Sequence, residues 1–106
     1  MGGKSGVAVV QVAGAADIQT IAAIHERLRE AVLSADETVI DIGALGEFDL
    51  TFIQVIEAAR LKAARTGKTV RLQNPVGEAL CDALERGGFL AGSANRQFWL
   101  HSTGDF

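Results

Sequence analysis

The chain has 106 residues, of which 48% are hydrophobic and 22% charged, a balance typical of one globular domain rather than a disordered segment. The net charge of −3 and the scattered lysines and arginines argue against a nucleic-acid binder, which usually presents a basic stripe. The single cysteine, Cys81, excludes an internal disulfide and a multi-cysteine metal site, and we interpret it as a small apolar core residue. The absence of an internal disulfide favours a location in the reducing cytoplasm.

The N-terminus carries no hydrophobic signal region, so we interpret residues 1–6 as a flexible leader and residues 7–106 as one domain. A membrane helix needs about 20 consecutive apolar residues, and no stretch of the sequence approaches that length. We therefore expect no direct insertion into a membrane.

The first half of the domain predicts a strand, a helix and a second strand. Residues 7–12 form a short β-rich apolar run between glycines. Asp17 is the predicted N-cap of a helix over residues 18–33. Residues 38–42 predict the next strand, and residues 43–47 predict a loop. The apolar residues that recur at helical spacing in the first helix are Ile18, Ile21, Ala22, Leu28 and Val32.

The second half repeats this alternation. Asp49 is the predicted N-cap of a helix over residues 50–65, and residues 69–72 predict a third strand. An Asn-Pro turn leads into a third predicted helix over residues 76–86, which a Gly-Gly pair ends. Residues 97–100 predict a final strand near an edge of the sheet.

Strands therefore alternate with helices three times, a pattern that favours a parallel or mixed sheet joined by right-handed crossovers. We predict an α/β fold, with a small mixed β-sheet of about four to five strands and about three to four helices packed mainly on one face. An open sheet of this kind usually has its working site at strand ends and helix N-termini.

Three carboxylates follow the second strand, at Asp41, Glu47 and Asp49. Paired carboxylates can act in acid–base chemistry or bind a metal, which would make the domain an enzyme or a small-ligand binder. No base, nucleophile or glycine-rich cradle accompanies them, and His25 and His101 belong to no metal or catalytic spacing. We therefore predict no enzyme activity, no catalytic residue, no metal and no cofactor.

One segment is more specific, residues 41–52 with the sequence DIGALGEFDLTF. It resembles the signature of STAS domains, the family of the anti-sigma-factor antagonists, in which a strand ends in Asp and Asp-Ser-Ser/Thr-Gly then opens a helix. The spacing from Asp41 to Asp49 matches the family pattern without a gap. Three further segments resemble parts of the family in the same order, at residues 14–20, 67–75 and 84–89. The resemblance therefore covers about residues 7–90.

The resemblance implies a small partner-binding fold. In the best-known members, a kinase-type anti-sigma factor binds the domain and phosphorylates the serine directly after the signature Asp. The unphosphorylated domain captures the anti-sigma factor and frees the sigma factor, and phosphorylation breaks that contact. A phosphate at the first turn of a helix lies near the positive end of the helix dipole, but it adds up to about two negative charges to the binding surface.

This sequence departs from the family pattern at the phosphoacceptor position, which is Leu50 and has no hydroxyl. The switch is therefore lost or displaced to Thr51, whose hydroxyl could instead bond the backbone at the helix start. Phe52 stands where the family has Gly, and Leu50 and Phe52 form either an apolar docking patch or part of the core. The predicted partner-binding residues are Asp17, Asp49, Leu50, Thr51 and Phe52.

Two binding functions stay open. The first is a bacterial signalling domain in transcription regulation, whose partner is a kinase-type anti-sigma factor or a sensor kinase. The alternative is a non-switching subunit of a larger assembly, because STAS domains also serve as cytoplasmic partners of transporters, including the ATPases of lipid ABC transporters, and near chemotaxis machinery. The sequence predicts a protein partner in both cases and leaves homodimerisation open.

Overall fold

The computed structural model describes residues 6–101, which form five strands and four helices. Apart from Gly6, the predicted leader lies outside the described residues. Within residues 6–101, no helix has both the length and the apolar character needed to cross a membrane. In chain order the elements are β1 (Val7–Gln11), β2 (Gly14–Ala16), α1 (Ile21–Ser34), β3 (Glu37–Asp41), β4 (Leu45–Phe48), α2 (Leu50–Arg65), β5 (Thr69–Leu72), α3 (Glu78–Gly87) and α4 (Ser93–Leu100).

The strands form two small sheets. β1, β3 and β5 make a parallel sheet with β3 in the centre, and β2 pairs with β4 in a two-stranded parallel sheet. Parallel neighbours need crossover connections, and α1 and α2 supply them. The predicted α/β fold is confirmed, and every strand pair within the described part of the chain is parallel.

The alternation of side chains assigns the two faces of the main sheet. Val10, Ile40 and Leu72 lie in register on the three strands and are all buried. Val9 and Arg71 lie one residue along on the outer strands, so their side chains point to the opposite face and are exposed. The main core therefore lies on the face of the sheet where α1 and α2 pack. On the opposite face the outer strands are exposed at Val9 and Arg71, whereas Val39 of the central strand is buried.

Helix α2 contributes the largest share of helical side chains to the core. Its bounds, Leu50 and Arg65, are the predicted ones. The buried positions recur at helical spacing, and those of the first half of the helix belong to the same core cluster as Ile40 of β3 and Leu28 of α1. This burial fixes the axis of the helix and hence the position of its first turn. The buried residues of α2 are Phe52, Ile53, Ile56, Ala59 and Ala63.

The predicted C-terminal strand at residues 97–100 is wrong, because these residues form the second half of α4. Trp99 is fully buried, and its indole N–H donates to Oε2 of Glu57 on α2 at 3.0 Å. Phe98 packs edge-on against Trp99, with 5.0 Å between ring centroids. A short apolar run does not distinguish a strand from a buried helix, and here contact with α2 decides.

Two further differences occur before α1 and α2. Residues 43–47, predicted as a loop, include most of β4, whose pairing with β2 overrides the weak strand propensity of its Gly46 and Glu47. Helix α1 begins at Ile21 rather than at residue 18, because the chain makes a turn before it.

Helix α3 begins at Glu78, two residues later than predicted, with Gly77 at the N-cap. Its predicted end is confirmed. Gly88 is the C-cap residue and has a φ of 79°, a left-handed conformation that glycine adopts at the lowest cost.

Candidate partner-binding surface

Asp49 occupies the N-cap of α2, as predicted, and connects α2 to the turn before α1. Its Oδ1 accepts hydrogen bonds from the backbone N–H of Thr51, at 3.0 Å, and from the Thr51 hydroxyl. Its Oδ2 accepts from the backbone N–H of Ile18 at 3.1 Å. One carboxylate thus holds together two segments that are 31 residues apart in the sequence.

These hydrogen bonds lower the pKa of Asp49 below its ordinary value. The Thr51 hydroxyl makes the largest contribution, desolvation of the carboxylate opposes it, and the backbone N–H groups of Ile18, Thr51 and Phe52 lower the pKa further. Asp49 is therefore ionised at neutral pH, and its contacts depend on that charge.

Asp17 lies in the turn beside this carboxylate and does not cap α1. Its Oδ1 accepts from the N–H of Gln19 at 3.0 Å, and its backbone carbonyl accepts from the N–H groups of Thr20 and Ile21 at 2.9 and 2.8 Å. The N-cap is Thr20, whose hydroxyl donates to the carbonyl of Ala15 at 3.0 Å. The prediction of Asp17 as the N-cap is wrong, because its side chain stabilises a turn that precedes the helix.

Two residues with exposed apolar side chains adjoin Asp49, one through a hydrogen bond and one along the chain. Ile18, which donates to Asp49, is 70% exposed, and Leu50, which follows Asp49 in the chain, is 53% exposed. We call Ile18, Asp49 and Leu50 the α2 N-terminal surface. Large aliphatic side chains beside an ionised carboxylate provide both the apolar contact area and the directional group that a protein partner can recognise.

The next two residues of α2 are less accessible. Thr51 is half-buried, and its hydroxyl donates to Asp49 rather than to the backbone. Phe52 is fully buried in the core. Phe52 is therefore not part of an exposed docking patch, whereas Leu50 at the preceding position is exposed.

Sequence reasoning missed Ile18 as a surface residue. Its spacing to Ile21 and Leu28 fits a helical period, which assigned it to the buried face of the predicted first helix. The signal that could have identified it is the pair of short polar residues Asp17 and Thr20, whose side chains are typical of a turn that ends before the helix begins.

The other two carboxylates of the sequence cluster have separate positions. Asp41 accepts from the N–H of Gly43 at 2.9 Å and closes the loop after β3, and Glu47 is exposed on β4. Among residues 6–101, no three or more His, Cys, Asp or Glu side chains are grouped so that they could hold a metal ion.

The histidines and the cysteine lie on other elements. His25 is exposed on α1. His101 ends α4 with a φ of 56°, and its Nε2 lies 3.2 Å from a carbonyl oxygen of β5. Cys81 is half-buried in α3, where desolvation and the nearby Glu85 and Asp82 raise the pKa of its thiol. The thiol is therefore protonated at neutral pH and is a poor nucleophile.

The elements and sheets described above define a small α/β domain. The family model described as "Mlab, STAS domain" matches residues 2–90, which include all five predicted partner-binding residues, and the chain belongs to the STAS domain family. Comparisons with curated proteins and with solved structures give no match. STAS domains are regulatory domains that mediate protein–protein interactions, are generally not enzymes, and include the anti-sigma-factor antagonists. The family resemblance that residues 41–52 carry is therefore confirmed.

Proposed function

We propose that this STAS domain binds a protein partner constitutively through the α2 N-terminal surface, without a phosphorylation switch on α2. The observation that carries the proposal is the exposed Leu50, at the position where the family resemblance implies a phosphoacceptor serine. A leucine side chain has no group that a kinase can phosphorylate. It does offer apolar area to a partner, and the burial of apolar area is a main driving force of protein association.

The hydrogen bonding of Thr51 supports the loss of the switch over its displacement. The Thr51 hydroxyl donates to Asp49 and is half-buried, so a kinase would have to break that bond to reach it. A phosphate there would also place up to about two negative charges beside an ionised carboxylate. Both effects disfavour phosphorylation of Thr51.

The chemistry of the surface describes the partner. The exposed side chains of Ile18 and Leu50 call for apolar contact area on the partner, and the ionised Asp49 next to them favours an N–H donor or a positive charge there. Asp17 and Thr51 act on this surface through the turn and the cap that they stabilise.

The first candidate partner is a kinase-type anti-sigma factor or a sensor kinase in a bacterial signalling pathway. Support for it comes from the family, whose best-known members bind such partners with the segment that corresponds to residues 41–52. In this pathway the domain would capture the kinase permanently instead of being released by phosphorylation.

The second candidate partner is the ATPase of a lipid ABC transporter, or a component of a chemotaxis assembly, and a specific observation favours it. A permanent subunit needs no release signal, and the acceptor position of this chain is an apolar residue that is exposed rather than buried. Comparing the affinities for purified partners of the two classes decides between the candidates.

The proposal is tested by isothermal titration calorimetry with Leu50→Lys and Leu61→Lys. Leu61 is a matched control, because it lies on the same helix and is also 53% exposed. We expect Leu50→Lys to weaken binding of the true partner by about tenfold or more, since a charge would enter an apolar contact. Leu61→Lys should leave the affinity unchanged. Equal losses for both variants, or none for Leu50→Lys, would contradict the proposal.

A second experiment tests the loss of the phosphorylation switch. The domain is incubated with ATP and the candidate kinase, and its peptides are examined by mass spectrometry. We expect no phosphate on Thr51. Phosphate on Thr51 that also weakens binding would establish the displaced switch instead.

A further inference from the structure

The two edges of the main sheet differ in their surroundings. At the β5 edge, α4 packs alongside, and Nε2 of His101 lies 3.2 Å from the carbonyl oxygen of Leu72. At the β1 edge, none of the strands formed by residues 6–101 pairs with the outer side of β1. An unpaired edge strand presents a row of backbone donors and acceptors to another chain.

The hydrogen bonds of β1 show which of its residues present these groups. The N–H of Val12 donates to β3 at 2.9 Å, and the carbonyl of Gly6 accepts from β3 at 3.2 Å, so the even-numbered residues face the sheet. Backbone groups alternate in direction along a strand in a parallel pair. Val7 and Val9 therefore direct their N–H and carbonyl groups outward.

A contact from α1 limits the open part of this edge. Gln11 also faces outward, but its carbonyl oxygen accepts a hydrogen bond from the guanidinium of Arg27. The part of the β1 edge without hydrogen-bond partners in the described chain is therefore the segment of Val7 and Val9.

The side chains of this segment are equally unprotected. Val7 is 60% exposed and Val9 is 62% exposed, on the face of the sheet opposite to Val10, Ile40 and Leu72. Residues 7–16 contain no charged residue and no proline. Natural edge strands usually carry a charge, a proline or a bulge that prevents pairing, and β1 has none of them between Val7 and Gln11.

We propose that β1 pairs in antiparallel register with β1 of a second copy of this chain, around a twofold axis at Ala8. In this register Val7 lies opposite Val9 of the second copy, and each such pair exchanges two N–H···O bonds. The three-stranded sheets of the two copies then join into one, and the exposed valines of both copies meet on the face opposite the main core.

The symmetry of the unpaired groups favours a second copy as the occupant. The outward-facing residues Val7 and Val9 flank Ala8 symmetrically, so the twofold register pairs the same groups of both copies. The contacting strand is uncharged, so the pairing places no like charges of β1 opposite one another. Val7 and Val9 also lie toward the start of β1, whereas the α2 N-terminal surface lies beyond the carboxyl ends of the strands. Self-pairing is therefore independent of partner binding at that surface.

The test is sedimentation velocity of the full chain over a range of micromolar concentrations, with Val9→Lys, Val9→Pro and Leu61→Lys. We expect the wild type and Leu61→Lys to dimerise and both Val9 variants to be monomeric. Val9→Pro removes only an outward-facing N–H, so the bonds between β1 and β3 remain, and circular dichroism checks that the variant is folded.

A wild type that stays monomeric at every concentration would overturn the proposal, as would a dimer that persists in both Val9 variants. If the wild type is monomeric alone but Val9→Lys loses the partner of the α2 N-terminal surface, the edge binds that partner and not a second copy. Loss of partner binding in Leu50→Lys with an intact dimer would show that the two surfaces are separate.

Discussion

Helix α2 organises two apolar regions in opposite ways. At its start, Asp49 accepts the N–H of Ile18, and Ile18 and Leu50 remain exposed. Half-way along, Glu57 accepts the indole N–H of Trp99 at 3.0 Å, and Trp99 is fully buried. Both carboxylates hold a segment that is distant in the sequence, but only the second region is covered, by α4. The first region is therefore suited to binding and the second to stability.

The contacts around Trp99 show how a covered region is completed. The guanidinium of Arg60 lies 4.3 Å from the ring centroid of Phe98, donates to Asn95 Oδ1 at 3.0 Å and pairs with Glu57 at 3.2 Å. Polar atoms at the rim of this region have partners on α2 and α4, whereas in the part of the chain that the structure describes no element lies over Ile18 and Leu50. Helix α2 thus carries one apolar region that α4 covers and one that no described element covers.

The largest effect on stability is expected for Trp99→Ala. Removing a fully buried aromatic side chain leaves a cavity and should lower the free energy of unfolding by about 3–5 kcal/mol, measured by urea denaturation. If this variant does not fold, Trp99→Phe keeps most of the volume and loses the hydrogen bond to Glu57, which should cost about 1–3 kcal/mol. A loss below about 1 kcal/mol for Trp99→Ala would place α4 outside the cooperative unit.

An intermediate effect is expected for Asp49→Asn, because it weakens the cap of α2 and the contact with Ile18. The thermal midpoint should fall at neutral pH, by less than in Trp99→Ala. Since the folded-state pKa of Asp49 lies below its ordinary value of 3.8, its stabilisation is present above that value and is lost as pH falls through the lowered pKa. The stabilities of wild type and variant should therefore converge in acid, measured by thermal unfolding from neutral pH downward.

The control for Asp49→Asn is Asp82→Asn, at an exposed position on α3. It should change the thermal midpoint little at any pH. A constant difference between wild type and Asp49→Asn down to strongly acidic pH would show that the ionised carboxylate is not the source of the effect.

The smallest effect on stability is expected for Leu50→Lys, the variant that should lose partner binding. Its side chain is more than half exposed, so the free energy of unfolding should change by no more than about 0.5 kcal/mol. The neighbouring Phe52→Ala removes a fully buried side chain and should cost about 3–5 kcal/mol in the same urea experiment. Similar losses for the two variants would remove the distinction between binding and stability along α2.

Local patterns were enough to predict much of the fold. The spacing of apolar residues and the Asp cap gave the bounds of α2, and alternation of apolar runs with helical segments gave the α/β class. Residues 41–52 indicated the STAS family, which the family match confirms. These features were predictable because periodicity, caps and motif spacing depend on residues that are near one another in the chain.

The sequence alone determined an α/β STAS domain with Asp49 at the start of α2 and no hydroxyl at residue 50. Tertiary structure decided that residues 97–100 are helical, that Leu50 is exposed while Phe52 is buried, and that Ile18 lies beside Asp49. It also left the outer edge of β1 unpaired within the described chain. The reason is that burial depends on which elements pack against a residue, and those elements are distant in sequence.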